Sequence, residues 1–324
     1  MNRTLATGAG GYLGSLLVQQ LLLRGHHVIA VDAFYTGDTL PEHPQLEIMR
    51  ADIRHLDAAM LDSVDSVVAL ATVSNDPAGE LNRQWTREVN EHAAARRAAA
   101  ARAGGARRFL LASTCGVYDG AAQSMDETRT VAPRSTYSAS KLAAEQAIMT
   151  QRGDGFEPVA LRLGTLCGIS PPMRRDLVVH SMTHSALTKS EVVVNGDGSQ
   201  WRPLLHVFDA ARAFLACLDA EPGALTHPVY NVVGENLRVM EIAEQVANHF
   251  DGIPIRTRES LADAISYRVT GQRLCDDTGF APSHTVADAI AEIHRYLLEP
   301  GRLAEMTAPQ FGASVRVVQP GTRD

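Results

Sequence analysis

Apolar and polar positions follow two rhythms through the first half of the chain. Short apolar runs bounded by turn residues fall at 3–7, 27–32 (HVIAVD), 46–52 (LEIMRAD), 66–72 (SVVALAT), 108–114 (RFLLAST) and 158–164 (PVALRLG), and predict strands. Longer stretches with helical spacing lie between them. GYLGSLLVQQLLLRG carries Leu13, Leu16, Leu17 and Leu21 at helical spacing and stops at Gly25, a fitting C-terminal cap. Two longer helices are predicted over 84–104 and 136–152. Near-continuous apolar strands alternating with helices describe an α/β, doubly wound parallel sheet covered on both faces.

After Gly164 the rhythm changes. ISPPMRRD reads as a loop, GDGSQWRPLLHVFDAARAFLACL as a turn, a short strand and a helix, and 236–300 as short elements of a smaller α/β lobe. The expected division is a sheet domain over 1–165 to which 204–235 returns, a second lobe from 166–203 and 236–308, and a tail at 309–324 without helical periodicity.

At 324 residues and 45% hydrophobic, the chain can bury a core large enough for two lobes. Its net charge of -7 comes from scattered acids with no Lys/Arg block, so neither nucleic acid nor an anionic membrane is an expected partner. AAARRAAAARAGGARR reads as a good helix former with a solvated arginine face, ending at Gly104-Gly105, rather than a nucleic-acid patch. The cysteines, Cys115, Cys167, Cys217 and Cys275, form no CxxC pair, which argues against structural zinc or a secreted disulfide framework. No apolar run approaches ~20 residues and no signal-peptide layout opens the chain, so a soluble cytoplasmic protein is expected.

Candidate chemistry begins at TGAGGYLG. Gly8, Gly11 and Gly14 stand at GxxGxxG spacing between a predicted strand and a predicted helix, where missing side chains permit a tight turn and close approach of a pyrophosphate. Asp32 ends the next strand, where an acid accepts hydrogen bonds from an adenosine ribose and repels a 2′-phosphate. Asp52 and Ile53 close the third strand. In YSASK, Tyr137 and Lys141 lie four apart on one helix face, and an ammonium beside a phenol favours the phenolate. Thr114, at the end of the fifth strand, is the hydroxyl placed to orient a substrate oxygen, with Ser113 beside it.

Together with LAT, Asn90, YxxSK, LRLGTLCG and GDGSQWRPLLHV, these motifs resemble the extended short-chain dehydrogenase/reductase family from about residue 4 to about residue 300, most closely its nucleotide-sugar epimerases and dehydratases. The resemblance implies a Rossmann-type domain that holds NAD and a C-terminal lobe that closes over a nucleoside-diphospho-sugar. It assigns Gly8, Gly11, Tyr12, Leu13, Gly14, Asp32, Asp52, Ile53, Leu70, Ala71, Thr72, Asn90, Tyr137 and Lys141 to the cofactor. Thr114, Tyr137 and Lys141 become the catalytic set, and Thr114, Thr165, His180, Arg202 and Arg268 the substrate contacts, with Arg202 as the diphosphate clamp. No metal is implied. A homodimer built on the helices at 84–104 and 136–152 is.

Departures from the family pattern carry information. Thr165 replaces a common Asn, Pro203 a common Asp, and His180 another Asn, so His180 is expected to tune sugar selectivity. His180 and His184 have metal-ligand spacing but no third ligand, and read as polar substrate lining or helix surface. Where sugar 4,6-dehydratases carry an acidic pair after the threonine, this chain has Cys115 and Gly116, and Cys115 reads as a small buried thiol. The resulting expectation is an NAD-dependent 4-epimerase working through a transient 4-keto sugar. A nucleotide-sugar ketoreductase, a dehydratase using other residues, and a non-catalytic NAD-binding regulator on the same fold remain as alternatives.

Overall fold

Seven strands form one sheet in the order Val229–Val232, Glu157–Leu163, Arg108–Thr114, Ser66–Ala69, Arg3–Thr7, His27–Asp32, Leu46–Arg50. Every neighbouring pair is parallel. The computed structural model describes residues 2–118, 124–153, 155–259 and 265–307; the tail expected at 309–324 lies outside them. Among the described residues no helix is long and apolar enough to cross a membrane.

The near-continuous apolar strands follow from burial on both faces. Ala6, Ala30, Val68, Leu110 and Leu161 pack with the Tyr12–Leu23 and Val207–Asp219 helices through residues such as Leu17, Leu21 and Phe214. Their strand neighbours Leu5, Ile29, Val67, Phe109 and Ala160 face the other way, onto Ala94, Ala98, Ala144 and Ile148 of the Ala93–Ala103 and Thr136–Met149 helices.

Beyond Gly164 the chain divides its elements. Thr165–Cys167, Trp201–His206 and Glu235–Arg238 form a separate three-stranded sheet, while Val207–Asp219 packs on the Tyr12–Leu23 helix and Val229–Val232 joins the edge of the main sheet. Val178–Lys189, Val239–His249 and Val286–Leu298 pack together next to the small sheet pair Val192–Asn195 and Ile255–Arg258.

The segment predicted as one helix over 84–104 is α-helical at Arg83–Arg87 and Ala93–Ala103 but takes a wider π turn at Glu88–His92. That turn aims Asn90 inward. The solvated arginine face holds at Arg96 and Arg107, which are exposed, but not at Arg97, which is buried, donates to the Ile53 carbonyl at 2.7 Å and has its pKa lowered by burial to about 10.

The Thr136–Met149 helix buries Ser138, Ser140, Lys141 and Glu145 against the sheet. Glu145 meets Arg162 through Nε at 3.0 Å and Nη2 at 2.7 Å and also accepts from Ser113. Arg162 Nη1 donates to Tyr118 Oη at 2.7 Å, which donates to Asn231 Oδ1 at 2.9 Å. Removing one partner of such a buried pair strands the other charge, so Arg162→Met is expected to lower unfolding stability by roughly 3–5 kcal/mol. Arg24→Met, which breaks the exposed pair with Asp219, should lower it by less than about 1 kcal/mol. Urea unfolding of both variants checks the contrast.

Candidate active site

Strands Arg3–Thr7 and Ser66–Ala69 are neighbours, yet their successors run to opposite sides of the sheet. A parallel sheet opens a crevice at the carboxyl ends of its strands where the order reverses. A cavity of about 780 Å³ lies there, walled by the Gly8–Gly14 turn, Asp32, Leu70–Asp76, Thr114, Tyr137 and Lys141.

The glycines of the turn are required for two separate reasons. Gly8 has φ +71°, and a Cβ on it would sit 2.5 Å from the Ala71 nitrogen; a Cβ on Gly14 would sit 2.0 Å from the Gly8 oxygen. Both are therefore fixed by the protein's own backbone. Gly11 instead faces the cavity, where a Cβ would meet only the Gly8 oxygen, at 3.2 Å. It precedes the Tyr12–Leu23 helix with no side-chain cap and no acid in the first turn, leaving that end of the helix to an anion.

Asp32 accepts from Gly10 N at 3.0 Å and Phe34 N at 2.7 Å, and burial raises its pKa against these bonds. Asp52 caps the next turn through Arg54 N at 2.9 Å and pairs with the Arg54 guanidinium at 2.5 Å. Burial raises the Asp52 pKa, but the Arg54 bonds outweigh it and the net shift is downward. An uncapped helix end for a pyrophosphate and a carboxylate at the end of the second strand for a ribose fit a dinucleotide of the NAD type.

At the other end, Thr114 Oγ1 accepts from Gly116 N at 2.9 Å. Tyr137 and Lys141 stand on the same wall, one helical turn apart. Both groups of this pair are desolvated. Burial pushes the Tyr137 phenol up to about 12 despite a hydrogen bond with Thr114, and burial brings the Lys141 ammonium down to about 7 despite Glu145. Arg202 lines the cavity with Nη1 on the carbonyls of Trp201, at 2.9 Å, and Ile265. Thr165 lines it as well.

Three expected contacts do not reach the cavity. His180 is fully buried behind the wall residues Tyr12 and Arg174, with Nδ1 donating to the Arg174 carbonyl at 2.5 Å and its ring edge-on to Tyr12. Burial lowers its pKa to about 4, and it is absent from the cavity wall. Arg268 lies over the Trp201 ring at 4.7 Å instead of facing the cavity. Asn90 braces the wall from behind: it accepts from Thr72 Oγ1 and Val73 N, both at 2.8 Å, and donates to Ser140 Oγ at 3.0 Å. Cys115 is fully buried and donates to the Arg162 carbonyl, with burial holding its thiol far above the ordinary range.

Sequence reasoning missed Asp76, Trp85, Arg174, Asp176 and Tyr267, all on the wall. Arg174 pairs with Asp176 at 2.5 Å and donates to Ser74 Oγ at 3.2 Å, and Asn75 Nδ2 donates to Asp176 at 3.2 Å. The signal was present: both loops are charged and follow strand ends, where ligands of such sheets bind.

A model of the NAD dependent epimerase/dehydratase family matches residues 4–232. UDP-glucuronic acid decarboxylase 1 of Arabidopsis thaliana is 30% identical over 264 residues, covering 77% of this chain; the chain spans only 58% of that relative's length. The uncharacterized UDP-glucose epimerase YtcB of Bacillus subtilis (strain 168) is 26% identical over 310 residues, 88% of this chain and 89% of the relative. The solved structure of MoeE5 in complex with UDP-glucuronic acid and NAD superposes with a TM-score of 0.79 at 28% identity, covering 90% of this chain and 97% of that one.

Lys141 provides a thermodynamic test of the site's desolvation. Its pKa falls from 10.5 to about 7 on burial, so the unfolded chain binds more protons between those values and stability rises with pH across that window. At about 1.4 kcal/mol per pKa unit the penalty is on the order of 5 kcal/mol below pH 7. Lys141→Met is expected to be more stable than the wild type by that order at about pH 6, with the gap mostly closed at about pH 9.5. Urea unfolding of the cofactor-free protein at both pH values checks it, and a gap independent of pH would contradict burial as the cause.

Proposed function

The chain belongs to the NAD dependent epimerase/dehydratase family, and from that premise we propose that it is a 4-epimerase of a UDP-sugar. One observation carries the reading. Thr114, Tyr137 and Lys141 share one cavity wall, while the two positions after Thr114 offer no acid: Cys115 is buried and Gly116 has no side chain. With no acid on the two residues that follow Thr114, the wall suits chemistry confined to carbon 4.

Gly8, Gly11, Tyr12, Leu13 and Gly14 hold the pyrophosphate of NAD, and Asp32 its adenosine ribose. When bound, NAD supplies the hydride acceptor for carbon 4 and the donor that restores it. Tyr137 Oη takes the 4-hydroxyl proton and later returns it to the oxygen on the opposite face. Thr114 holds that oxygen in line with Tyr137. Lys141 supplies the positive charge that favours the ionised phenol, and Arg202 grips the sugar diphosphate with its planar guanidinium.

A second reading has its own support. Arg174 puts a cation on the wall, and the relatives include UDP-glucuronic acid decarboxylases. A hexuronate oxidised at carbon 4 is a β-keto acid: its C5–C6 bond breaks to release carbon dioxide, the enolate left behind takes a proton from water at carbon 5, and the hydride held by the cofactor returns to carbon 4, so the same residues would serve a UDP-hexuronate decarboxylase.

The test is incubation of the purified protein with UDP-glucose and with UDP-glucuronic acid in heavy water, without added cofactor, followed by NMR and mass spectrometry. A stereoisomer of unchanged mass with no deuterium on carbon is the expected product. Tyr137→Phe should slow its formation by about 10²–10⁴-fold, the usual weight of an acid/base residue. Loss of carbon dioxide establishes the second reading. Loss of water with deuterium on carbon, or near-normal turnover in Tyr137→Phe, overturns the first.

A further inference from the structure

On its sheet side the Thr136–Met149 helix is anchored by Asn90 on Ser140 and by the Glu145–Arg162 pair. Its other flank, at the start, meets the short helix Asp76–Leu81. Three contacts converge there on consecutive residues. Ser135 Oγ donates to Asp76 Oδ1 at 2.5 Å, Thr136 N donates to Glu80 Oε1 at 2.8 Å, and Gly79 backs onto Tyr137 so closely that a Cβ would lie 3.1 Å from the Tyr137 Cβ.

The short helix is itself tied down at both ends. Asn75 caps it at 2.8 Å and reaches Asp176 at 3.2 Å, while buried Thr86 donates to the Gly79 carbonyl at 3.0 Å. Glu80 has no part in the cavity wall, and its other oxygen accepts from Arg83 Nε at 2.7 Å.

We propose that Asn75–Leu81 is a strut that sets the position of Tyr137 from the flank away from the sheet, with Glu80 as a positioning residue acting through the Thr136 backbone. The inference rests on the reading of Tyr137 as the acid/base. Glu80 touches neither substrate nor cofactor, so its loss changes turnover and leaves binding alone. The carboxylate on Thr136 N also suits the positive end of the helix, and that backbone bond holds the Glu80 pKa below its ordinary value.

The test compares Glu80→Ala, Glu80→Gln and Gly79→Ala in the full chain with its NAD. Hydrogen exchange of the Thr136–Ser138 amides should quicken in Glu80→Ala and return toward wild type in Glu80→Gln, whose amide oxygen still accepts from Thr136 N. With UDP-glucose or UDP-glucuronic acid, whichever the wild type turns over, kcat of Glu80→Ala should fall about tenfold with KM within about twofold. Glu80→Gln should recover to within about threefold; a misplacement of about 1 Å can be worth about a hundredfold. Gly79→Ala, pressing on Tyr137, should also lower kcat about tenfold. Unchanged exchange in Glu80→Ala, an equal loss in Glu80→Gln, or a change in KM alone overturns the proposal. If the wild type turns over neither sugar, the proposed reaction fails, while the exchange data still decide the strut.

Discussion

The constraint on which this structure depends is the burial of a polar helix face. Ser138, Ser140, Lys141 and Glu145 are turned into the protein at helical spacing, and each position taken from water needs a partner or shifts its ionisation. Glu145 finds Arg162, and Ser140 finds Asn90 and the Tyr137 carbonyl at 2.7 Å. Among the described residues Lys141 has no ion pair and yields instead, its pKa falling by desolvation to about 7. A lysine with its pKa brought down to about 7, one helical turn from a phenol on the same wall, is the product of this packing. A solvated helix would leave both groups near their ordinary values.

From that helix the rest of the site follows by direct support. The sheet holds Thr114 at the carboxyl end of a central strand, one residue beyond Ser113, which binds Glu145, so the hydroxyl and the helix are locked by adjacent residues. The π turn lets Asn90 bond both the Ser140 hydroxyl and the Val73 backbone, tying the helix to the loop that walls the cavity. The glycine turn needs no partner from the helix; Gly8 and Gly14 are fixed by backbone contact alone. The glycine turn and the Thr114–Tyr137–Lys141 wall thus rest on different physics, steric in one and electrostatic in the other.

This division explains what was legible in the sequence. Strand positions, the GxxGxxG turn, Asp32, and the Tyr137–Lys141 spacing are local patterns, and the structure puts them where periodicity does, around one cavity. The strands expected at 46–52 and 66–72 are shorter in the structure, because Asp52 caps a turn after the first and the second opens at Leu70 into the cavity wall. The placements of His180, Arg268 and Arg97 are not legible in the sequence because they depend on residues far away in the chain: Tyr12, Trp201 and the Ile53 carbonyl. Arg174 and Asp176 were passed over for the same reason, since their loop becomes a wall only by meeting Ser74 and Asn75.

Charge adds one more step. The chain carries a net charge of -7, which at face value disfavours an anionic ligand. Fields from exposed charges fade within about 8 Å at physiological salt, so what counts is the charge on the wall itself. There Asp32 is held by backbone N–H groups, Asp52 by Arg54, Asp76 by Ser135 and Asp176 by Arg174. Arg202 has only carbonyl oxygens on its Nη1, and among the described residues no carboxylate pairs with it. An uncapped helix end at Gly11 and an uncompensated guanidinium at Arg202 are then the two attractive poles of the cavity. Two phosphate-bearing ligands laid between them would face each other at the Thr114–Tyr137–Lys141 wall, and the direction of each is set by electrostatics before any sugar hydroxyl is read.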